Sequence, residues 1–217
     1  MTINNIKMDS ILPKLRSNLK KNMHSNLVLS SSFKYKQDKQ KKILTGKYTK
    51  AAVICLFDFT STEFNTILTL RSKNLKDHPG QISFPGGKVN KSENFTACAI
   101  RETSEEIGIK KKNINILGEM NMYLSGSNFL IRPIIGLTKG DYKISLNKKE
   151  VDKIINFPIS YLFESKNRTK SYYIDKYDKK KKFYYDINWN QYRIWGTTAI
   201  ILVHLSKIIY EVTVKNV

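Results

Sequence analysis

Three glutamates lie close together in the segment 86–109 and could bind a metal ion: Glu102, Glu105 and Glu106. On a helix that turns about 100° per residue, their i,i+3 and i,i+4 spacing places the three carboxylates on one face. Like charges at these spacings destabilise a helix by roughly 0.2–0.5 kcal/mol per pair. Mg²⁺ prefers oxygen ligands and is usually held by a few carboxylates, waters and substrate phosphates. The spacing alone leaves two interpretations open, an ordinary acidic solvent-facing helix and a divalent-metal site, and the loop that precedes the helix favours the metal site.

The helix that carries these glutamates is predicted over residues 95–107. Gly108 ends it, because glycine suits the left-handed position after a helix. The side of the helix opposite the glutamates is predicted to face the core through Ala97, Ile100, Ser104 and Ile107. Two adjacent glycines at 86 and 87 precede the helix, and they let the backbone turn and approach a ligand closely.

The spacing of these residues forms a long pattern. Five residues separate Gly87 from Glu93, and seven residues separate Glu93 from Arg101-Glu102. Glu105-Glu106 follow after two residues, and Gly108 and an aliphatic residue complete the pattern. It resembles the Nudix box, with Thr103 where many Nudix proteins have an aliphatic residue. The resemblance implies a metal-dependent hydrolase of nucleoside diphosphates linked to another group. It also implies an α+β fold, an α/β/α sandwich in which a mixed β-sheet lies between helices.

The resemblance also implies a role for each matching position. Glu102, Glu105 and Glu106 would be catalytic metal ligands for Mg²⁺ or Mn²⁺, one of them acting as the base for the attacking water. The Gly87 carbonyl could also reach the metal. Glu93 and Arg101 would mainly orient the loop and the helix. Glu150 is a further candidate ligand or base, with a capping role in a helix or loop as the alternative.

A second pattern lies just upstream and indicates a substrate. Leu68-Thr69, Arg71-Ser72 and Gly80, followed by Phe-Pro-Gly-Gly at 84–87, resemble the signature of coenzyme A diphosphatases within the Nudix group. Lys76 stands where that signature usually has a second Arg, which keeps the charge but loses the forked geometry. We therefore predict Arg71, Lys76 and Gly80 as substrate-binding residues. The predicted products are 3′,5′-adenosine bisphosphate and 4′-phosphopantetheine or its acyl form.

Two other functions stay open. A Nudix diphosphatase could act instead on ADP-ribose, a dinucleotide or a nucleoside triphosphate. A non-catalytic module could use the net charge of +20 to bind nucleic acid. Only six of the 38 basic residues are Arg, however, and direct readout of bases favours Arg. We therefore expect a small nucleotide substrate rather than nucleic acid.

The 217 residues, 41% of them hydrophobic, fit one globular domain with an extension. Residues 1–48 are predicted as a Lys-rich N-terminal extension, in which Ile11, Leu12, Leu15 and Leu19 have helical spacing. Residues 49–217 are predicted as the Nudix domain, with a C-terminal helix over 196–210. The predicted strands cover 51–57, 66–70, 114–117, 130–137, 151–157 and 183–187, and 166–182 is predicted as a hairpin or loop.

Composition also bears on location. No apolar run approaches the roughly 20 residues that cross a bilayer, and no secretory signal is recognisable. The chain has two cysteines, Cys55 and Cys98, which cannot make a disulfide framework. We expect a cytoplasmic protein that is not bound to membranes, and the composition predicts no particular oligomeric state.

Overall fold

The computed structural model describes residues 8–22, 28–30, 48–58, 64–139, 141–174, 179 and 181–214. We number the helices and strands of these ranges in chain order. They are α1 (Met8–Asn22), β1 (Val28–Ser30), β2 (Thr49–Phe57), β3 (Asn65–Arg71), β4 (Ile82–Ser83), β5 (Gly86–Lys88), α2 (Phe95–Ile107), β6 (Ile114–Glu119), β7 (Met122–Leu124), β8 (Phe129–Thr138), β9 (Val151–Pro158), β10 (Thr169–Ile174), β11 (Lys181–Trp189), β12 (Tyr192–Trp195) and α3 (Gly196–Thr213). Short 3₁₀ helices lie at Lys111–Asn113, Ile159–Phe163 and Ser165–Asn167.

The strands form a mixed main sheet and a small antiparallel sheet. The main sheet follows the order β1-β7-β8-β2-β3-β4, with β5 beside β2, β6 beside β8 and β9 beside β3. Strand β2 runs parallel to β8. It pairs with β3 in the antiparallel direction, where Phe57 lies opposite Thr66. Elsewhere along its length, β2 pairs with β5. This arrangement places the two glycines of β5 next to the centre of the sheet.

Successive side chains of β2 point to opposite faces of the main sheet, as the strand geometry requires. Ala52, Ile54 and Leu56 belong to the core beneath α2, whereas Cys55 and Phe57 belong to the core that α1 and α3 share. The sheet is therefore covered by helices on both faces. The predicted α/β/α sandwich with a mixed sheet is confirmed.

Helix α1 is part of the core. Ile11, Leu15 and Leu19 are all at most 3% exposed, and the helix lies against α3 and β6. Leu19 packs on Gly118, where a Cβ atom would lie 3.2 Å from its side chain. The division of the chain at residue 48 stays a prediction. None of the described helices combines the length and the apolar character that a bilayer crossing requires.

Helix α2 begins and ends where it was predicted, but the predicted core-facing side was wrong in part. Ala97 and Ser104 are exposed, and the buried residues are Cys98, Ala99, Thr103, Glu106 and Ile107. Thr103 tolerates burial because its hydroxyl donates a hydrogen bond of 2.6 Å to the Ala99 carbonyl. The buried face is thus rotated toward Glu106, which apolarity alone did not indicate.

A buried polar pair joins β7 to α3 and makes stability depend on pH. The Tyr123 hydroxyl and Nδ1 of His204 lie 2.7 Å apart, and burial, with a smaller contribution from Lys207, lowers the pKa of His204 to about 4. As the pH falls below 6.5, His204 binds a proton in the unfolded chain, whereas in the folded chain it binds one only near pH 4. The stability that His204 contributes above pH 6.5 is therefore lost on acidification. We expect a loss of about 2 kcal/mol between pH 7 and pH 5.

Urea unfolding at both pH values, without added metal, measures this loss in the wild type and in His204→Gln. The variant should lack this component of the pH dependence, because glutamine does not titrate. An identical difference between pH 7 and pH 5 in both proteins would contradict the assignment.

Candidate active site

The glycine-rich strand β5 lies directly against the acidic helix. Gly86 has a φ of +154°, and a Cβ there would lie 2.2 Å from the Ala52 carbonyl oxygen. A Cβ on Gly87 would lie 2.3 Å from Oε1 of Glu102. Position 86 therefore needs glycine, because the contact is with backbone atoms, whereas at Gly87 the space is taken by the carboxylate end of the Glu102 side chain, which could move.

The ends of α2 are fixed by hydrogen bonds. Oδ1 of Asn94 accepts a bond of 2.8 Å from the backbone N–H of Ala97 at the first turn. At the other end, Gly108 adopts a φ of +78° and donates to the Ser104 carbonyl. The backbone N–H of Asn147 donates to the Glu106 carbonyl at 3.0 Å. The helix is thus held at the turn that carries the glutamates.

Glu106 is the most buried acidic side chain of the site, at 3% exposed. Its Oε2 accepts a hydrogen bond of 3.3 Å from the Gly86 N–H. The pKa of Glu106 is raised to about 8, mainly by burial and also by the charges of Glu102 and Glu150, while the Gly86 hydrogen bond and the charge of Arg71 oppose the rise. Burial also raises the pKa of Glu102, against the effect of Arg101. Ionisation of these two carboxyl groups is therefore unfavourable unless a cation lies nearby, because little solvent stabilises the negative charge.

Glu105 lies apart from this buried pair. Its side chain is 53% exposed, and its Oε2 accepts a bond of 2.9 Å from Nη1 of Arg101, which also donates to Oε1 of Glu102. The expectation that all three glutamates share one face opposite the core was therefore wrong, because Glu106 faces inward. Among the residues that the structure describes, no three His, Cys, Asp or Glu side chains surround a common metal position.

Arg101 joins the helix to the preceding loop. Its guanidinium donates to both carboxylate oxygens of Glu93, at 2.9 and 3.0 Å, and to the Lys88 carbonyl at 3.1 Å. The Arg101 hydrogen bond lowers the pKa of Glu93, so that this carboxylate stays ionised. These contacts fix the position of the loop relative to the helix, as the predicted orienting role of Glu93 and Arg101 requires.

Arg71 is the last residue of β3, and the other two predicted substrate-binding residues, Lys76 and Gly80, lie on the following loop, which folds back over the end of that strand. The Arg71 carbonyl accepts a bond of 3.2 Å from Gly80, which has a φ of +68°. Nη2 of Arg71 donates to the Asp77 carbonyl at 3.4 Å, while its buried Nε has no hydrogen-bond partner among the described residues. The structure thus brings Arg71 close enough to influence Glu106 and leaves Lys76 exposed on the loop.

Glu150 also belongs to the neighbourhood of the acidic pair. Its charge raises the pKa values of both Glu102 and Glu106, and its carbonyl accepts a bond of 2.8 Å from the Ser72 N–H. Nδ2 of Asn147 donates to Oε1 of Glu150 at 2.9 Å. Sequence reasoning missed Asn147. Its Oδ1 accepts a hydrogen bond from the Lys149 N–H two residues later, and the tendency of Asn to form such turns is the signal that could have identified it.

A mixed sheet between helices, with a diglycine strand packed on a glutamate-rich helix, defines the class: an α+β protein with an acidic loop–helix site. A comparison with family models gives the same assignment, because the NUDIX domain model matches residues 47–162. The chain belongs to the Nudix family.

Two relatives of similar sequence agree with this assignment. The chain is 33% identical over 143 residues to the Nudix hydrolase NudL of Photorhabdus laumondii, an alignment that covers 65% of this chain and 75% of that protein. It is 31% identical over 168 residues to Nudix hydrolase 15, mitochondrial, of Arabidopsis thaliana, covering 74% and 58%. A solved C. elegans Ap4A hydrolase binary complex has 18% identity and a TM-score of 0.45 over 51% of this chain and 80% of that one.

The protein is therefore an enzyme, a Nudix hydrolase that acts on nucleoside diphosphate derivatives. The predicted enzyme class is confirmed. Nudix hydrolases generally use divalent metal ions, which agrees with the chemistry that the glutamate spacing indicated.

Proposed function

We propose that the protein hydrolyses the diphosphate bond of coenzyme A or of a coenzyme A derivative. The products would be 3′,5′-adenosine bisphosphate and 4′-phosphopantetheine or its acyl form. One observation carries the proposal: Arg71, from the upstream signature, is close enough to the acidic helix for its charge to lower the pKa of Glu106, and its buried Nε is unpaired in the described part of the chain. A cationic donor in the neighbourhood of a carboxylate pair suits a bound diphosphate, because phosphate oxygens accept hydrogen bonds from a guanidinium group.

The residues present fit a divalent ion, for which we propose Mg²⁺ or Mn²⁺. Glu102 and Glu106 are carboxylates whose pKa values are raised by burial, so a nearby cation would stabilise their ionised forms. Glu105 would become the third carboxylate ligand if it left Arg101 and contacted the ion instead. The Gly87 carbonyl is a further candidate ligand. When bound, such an ion neutralises charge on the diphosphate and activates the attacking water.

The remaining chemistry belongs to side chains of this chain. Arg71 would bind the diphosphate, and Lys76, on the same loop as Gly80, would add positive charge for the 3′-phosphate. One carboxylate among Glu102, Glu105, Glu106 and Glu150 would take the proton of the attacking water. Glu93 and Arg101 would keep the loop and the helix in place around it.

Product analysis tests the proposal. The purified protein is incubated with coenzyme A and Mg²⁺ or Mn²⁺, and the products are separated. A parallel panel contains dephospho-coenzyme A, ADP-ribose, a dinucleotide and a nucleoside triphosphate. Release of 3′,5′-adenosine bisphosphate, with preference for the substrate that has a 3′-phosphate, is the expected result. Rapid cleavage of another substrate beside intact coenzyme A would contradict the proposed substrate and support the other Nudix function.

The variant Lys76→Arg tests the proposed phosphate contact. Arginine offers a planar fork of donors in place of a single ammonium group, so the affinity for coenzyme A should be equal or higher. We expect KM to stay the same or to fall, with kcat little changed, in steady-state kinetics. Lys73→Arg, at another exposed position of the same loop, is the matched control. A higher KM in Lys76→Arg alone would argue against this contact.

We also propose a cytoplasmic location. Cys55 and Cys98 are both free and buried, as expected for thiols in a reducing compartment. Imaging of a C-terminal fluorescent fusion in the native cell would test the location, and fluorescence confined to an organelle would contradict it.

A further inference from the structure

The small sheet carries a row of aromatic rings on its outward face. Ile187 and Ile194 pair across β11 and β12 and are buried, so the neighbouring pair, Asp186 and Trp195, points to the opposite face. Tyr184 lies on that outward face beside Trp195, with ring centroids 6.3 Å apart, and Tyr173 lies 6.3 Å from Tyr184 on the other side. We call Tyr173, Tyr184 and Trp195 the aromatic ladder.

The two ends of the aromatic ladder reach solvent. Tyr173 is 39% exposed and Trp195 is 44% exposed, which is unusual for large rings in a folded domain. Exposed rings of this kind mark surfaces that contact another molecule. The fold itself does not need them, because the inward face of the same sheet already supplies the buried core residues.

Positive charge lies at both ends of the aromatic ladder. Lys182 is directly opposite Tyr173 in the strand register. The Arg193 guanidinium lies 5.9 Å from the Trp195 ring centroid and is oriented by two hydrogen bonds from Nε to the Asp186 carboxylate. A flat aromatic surface between Lys182 and the Arg193–Asp186 ion pair is complementary to a planar ring system that carries phosphate.

The aromatic ladder stands at the same edge of the main sheet as the acidic site. Lys88, the last residue of β5, places its Nζ 5.8 Å from the Phe129 ring centroid at the start of β8. The turn that precedes β8 contains Gly126, where a Cβ would lie 3.9 Å from the Tyr173 hydroxyl. At its other side, the small sheet lies against β4 through β12. The small sheet that carries the ladder therefore contacts the turn before β8 on one side and β4, which precedes the diglycine strand, on the other.

We propose that the aromatic ladder binds the nucleobase of the substrate, with Lys182 and Arg193 beside the phosphate on its ribose. This inference rests on the proposed function, since it takes the substrate to be an adenine nucleotide. Stacking of a base on an aromatic side chain changes affinity by roughly 5- to 150-fold. The pantetheine arm has no aromatic ring to stack, so the nucleotide half is the part that this surface suits.

Binding of the two product halves tests the assignment without turnover. Calorimetry without added metal measures the affinities for 3′,5′-adenosine bisphosphate and for 4′-phosphopantetheine. We expect Tyr173→Leu and Trp195→Leu to weaken the first by about tenfold each and to leave the second unchanged. Tyr172→Leu is the matched control, because Tyr172 is the neighbouring and more accessible tyrosine, 54% exposed, on the opposite face of β10. Tyr173→Phe and Trp195→Phe should retain affinity, which separates loss of a ring from loss of the fold.

Steady-state kinetics with coenzyme A gives the second measurement. The leucine variants at Tyr173 and Trp195 should raise KM about tenfold with little change in kcat. Unchanged KM and bisphosphate affinity in both variants, or an equal loss in Tyr172→Leu, would overturn the base site. The base site would also be overturned if the leucine variants lost affinity for a single-stranded RNA oligomer while their affinity for the bisphosphate stayed unchanged. If wild-type protein binds the bisphosphate through the ladder but leaves coenzyme A intact, the proposed substrate fails and the base site stands.

Discussion

Replacing Glu106 by glutamine is expected to lower kcat/KM for the substrate by roughly 100-fold or more while leaving the fold intact. The amide has nearly the volume of the carboxyl group, and its oxygen can still accept the hydrogen bond from the Gly86 N–H. What the change removes is the ability of a buried carboxyl group, at 3% exposure, to ionise in the place where a divalent ion would be held. Packing should therefore survive, and cation binding should not.

The measurement compares turnover and thermal unfolding of the wild type and Glu106→Gln in Mg²⁺ and in Mn²⁺. Glu164→Gln is the matched control, because it makes the same chemical change at an exposed site outside the acidic helix. The control should keep full activity. Wild-type turnover in Glu106→Gln would show that this carboxylate is not part of the catalytic site, and loss of the folded state would show that its role is structural.

A second large effect is expected at Gly86, on stability rather than on chemistry. In Gly86→Ala the new methyl group would lie 2.2 Å from the Ala52 carbonyl oxygen and 2.6 Å from the Cα of Val53, and both neighbours are backbone atoms of β2. The φ of +154° is also a conformation that alanine rarely adopts. Relief requires β5 to separate from β2, so we expect a loss of about 3 kcal/mol of unfolding free energy.

Gly80→Ala is the matched control for this prediction. Gly80 also has a positive φ, +68°, but no atom lies within 4 Å of a Cβ built there. Only the strain of the left-handed conformation remains, which costs about 1 kcal/mol. Urea unfolding of the three proteins measures the difference. Equal losses in the two variants would mean that β5 moves away without cost and that the contact with β2 is not what requires glycine.

The helices and strands of the central sheet were largely predictable. Helix α2 was predicted over its full length because Gly108 marks its end and the spacing of its charged residues is regular. Strand β2 was predicted because its residues form a short apolar run, as expected for a strand buried on both faces. The side of α2 that faces the core was not predictable, because it includes the polar residues Thr103 and Glu106. Thr103 donates a hydrogen bond to the Ala99 carbonyl in the same helix, and Glu106 accepts one from the Gly86 N–H of β5.

The candidate site was predictable in its residues but not in its arrangement. The pattern placed Glu102, Glu105 and Glu106 together, yet Arg101 holds Glu105 on the exposed side. The proximity of Arg71 to Glu106 depends on how β3 ends and how its following loop folds back, which local spacing does not encode. The aromatic ladder depends on strand register in a sheet that was predicted only as a hairpin or loop with one strand.

Helix α1 and helix α3 enclose one side of the sheet, although both lie outside the span 47–162 that the family model matches. Leu15 and Leu19 near the N-terminus share a core with Ile201 and Leu205 near the C-terminus. The cooperative folding unit is therefore longer than the segment shared with the family. A fragment trimmed to the matched span would expose a large apolar surface to water and would be prone to aggregation and proteolysis.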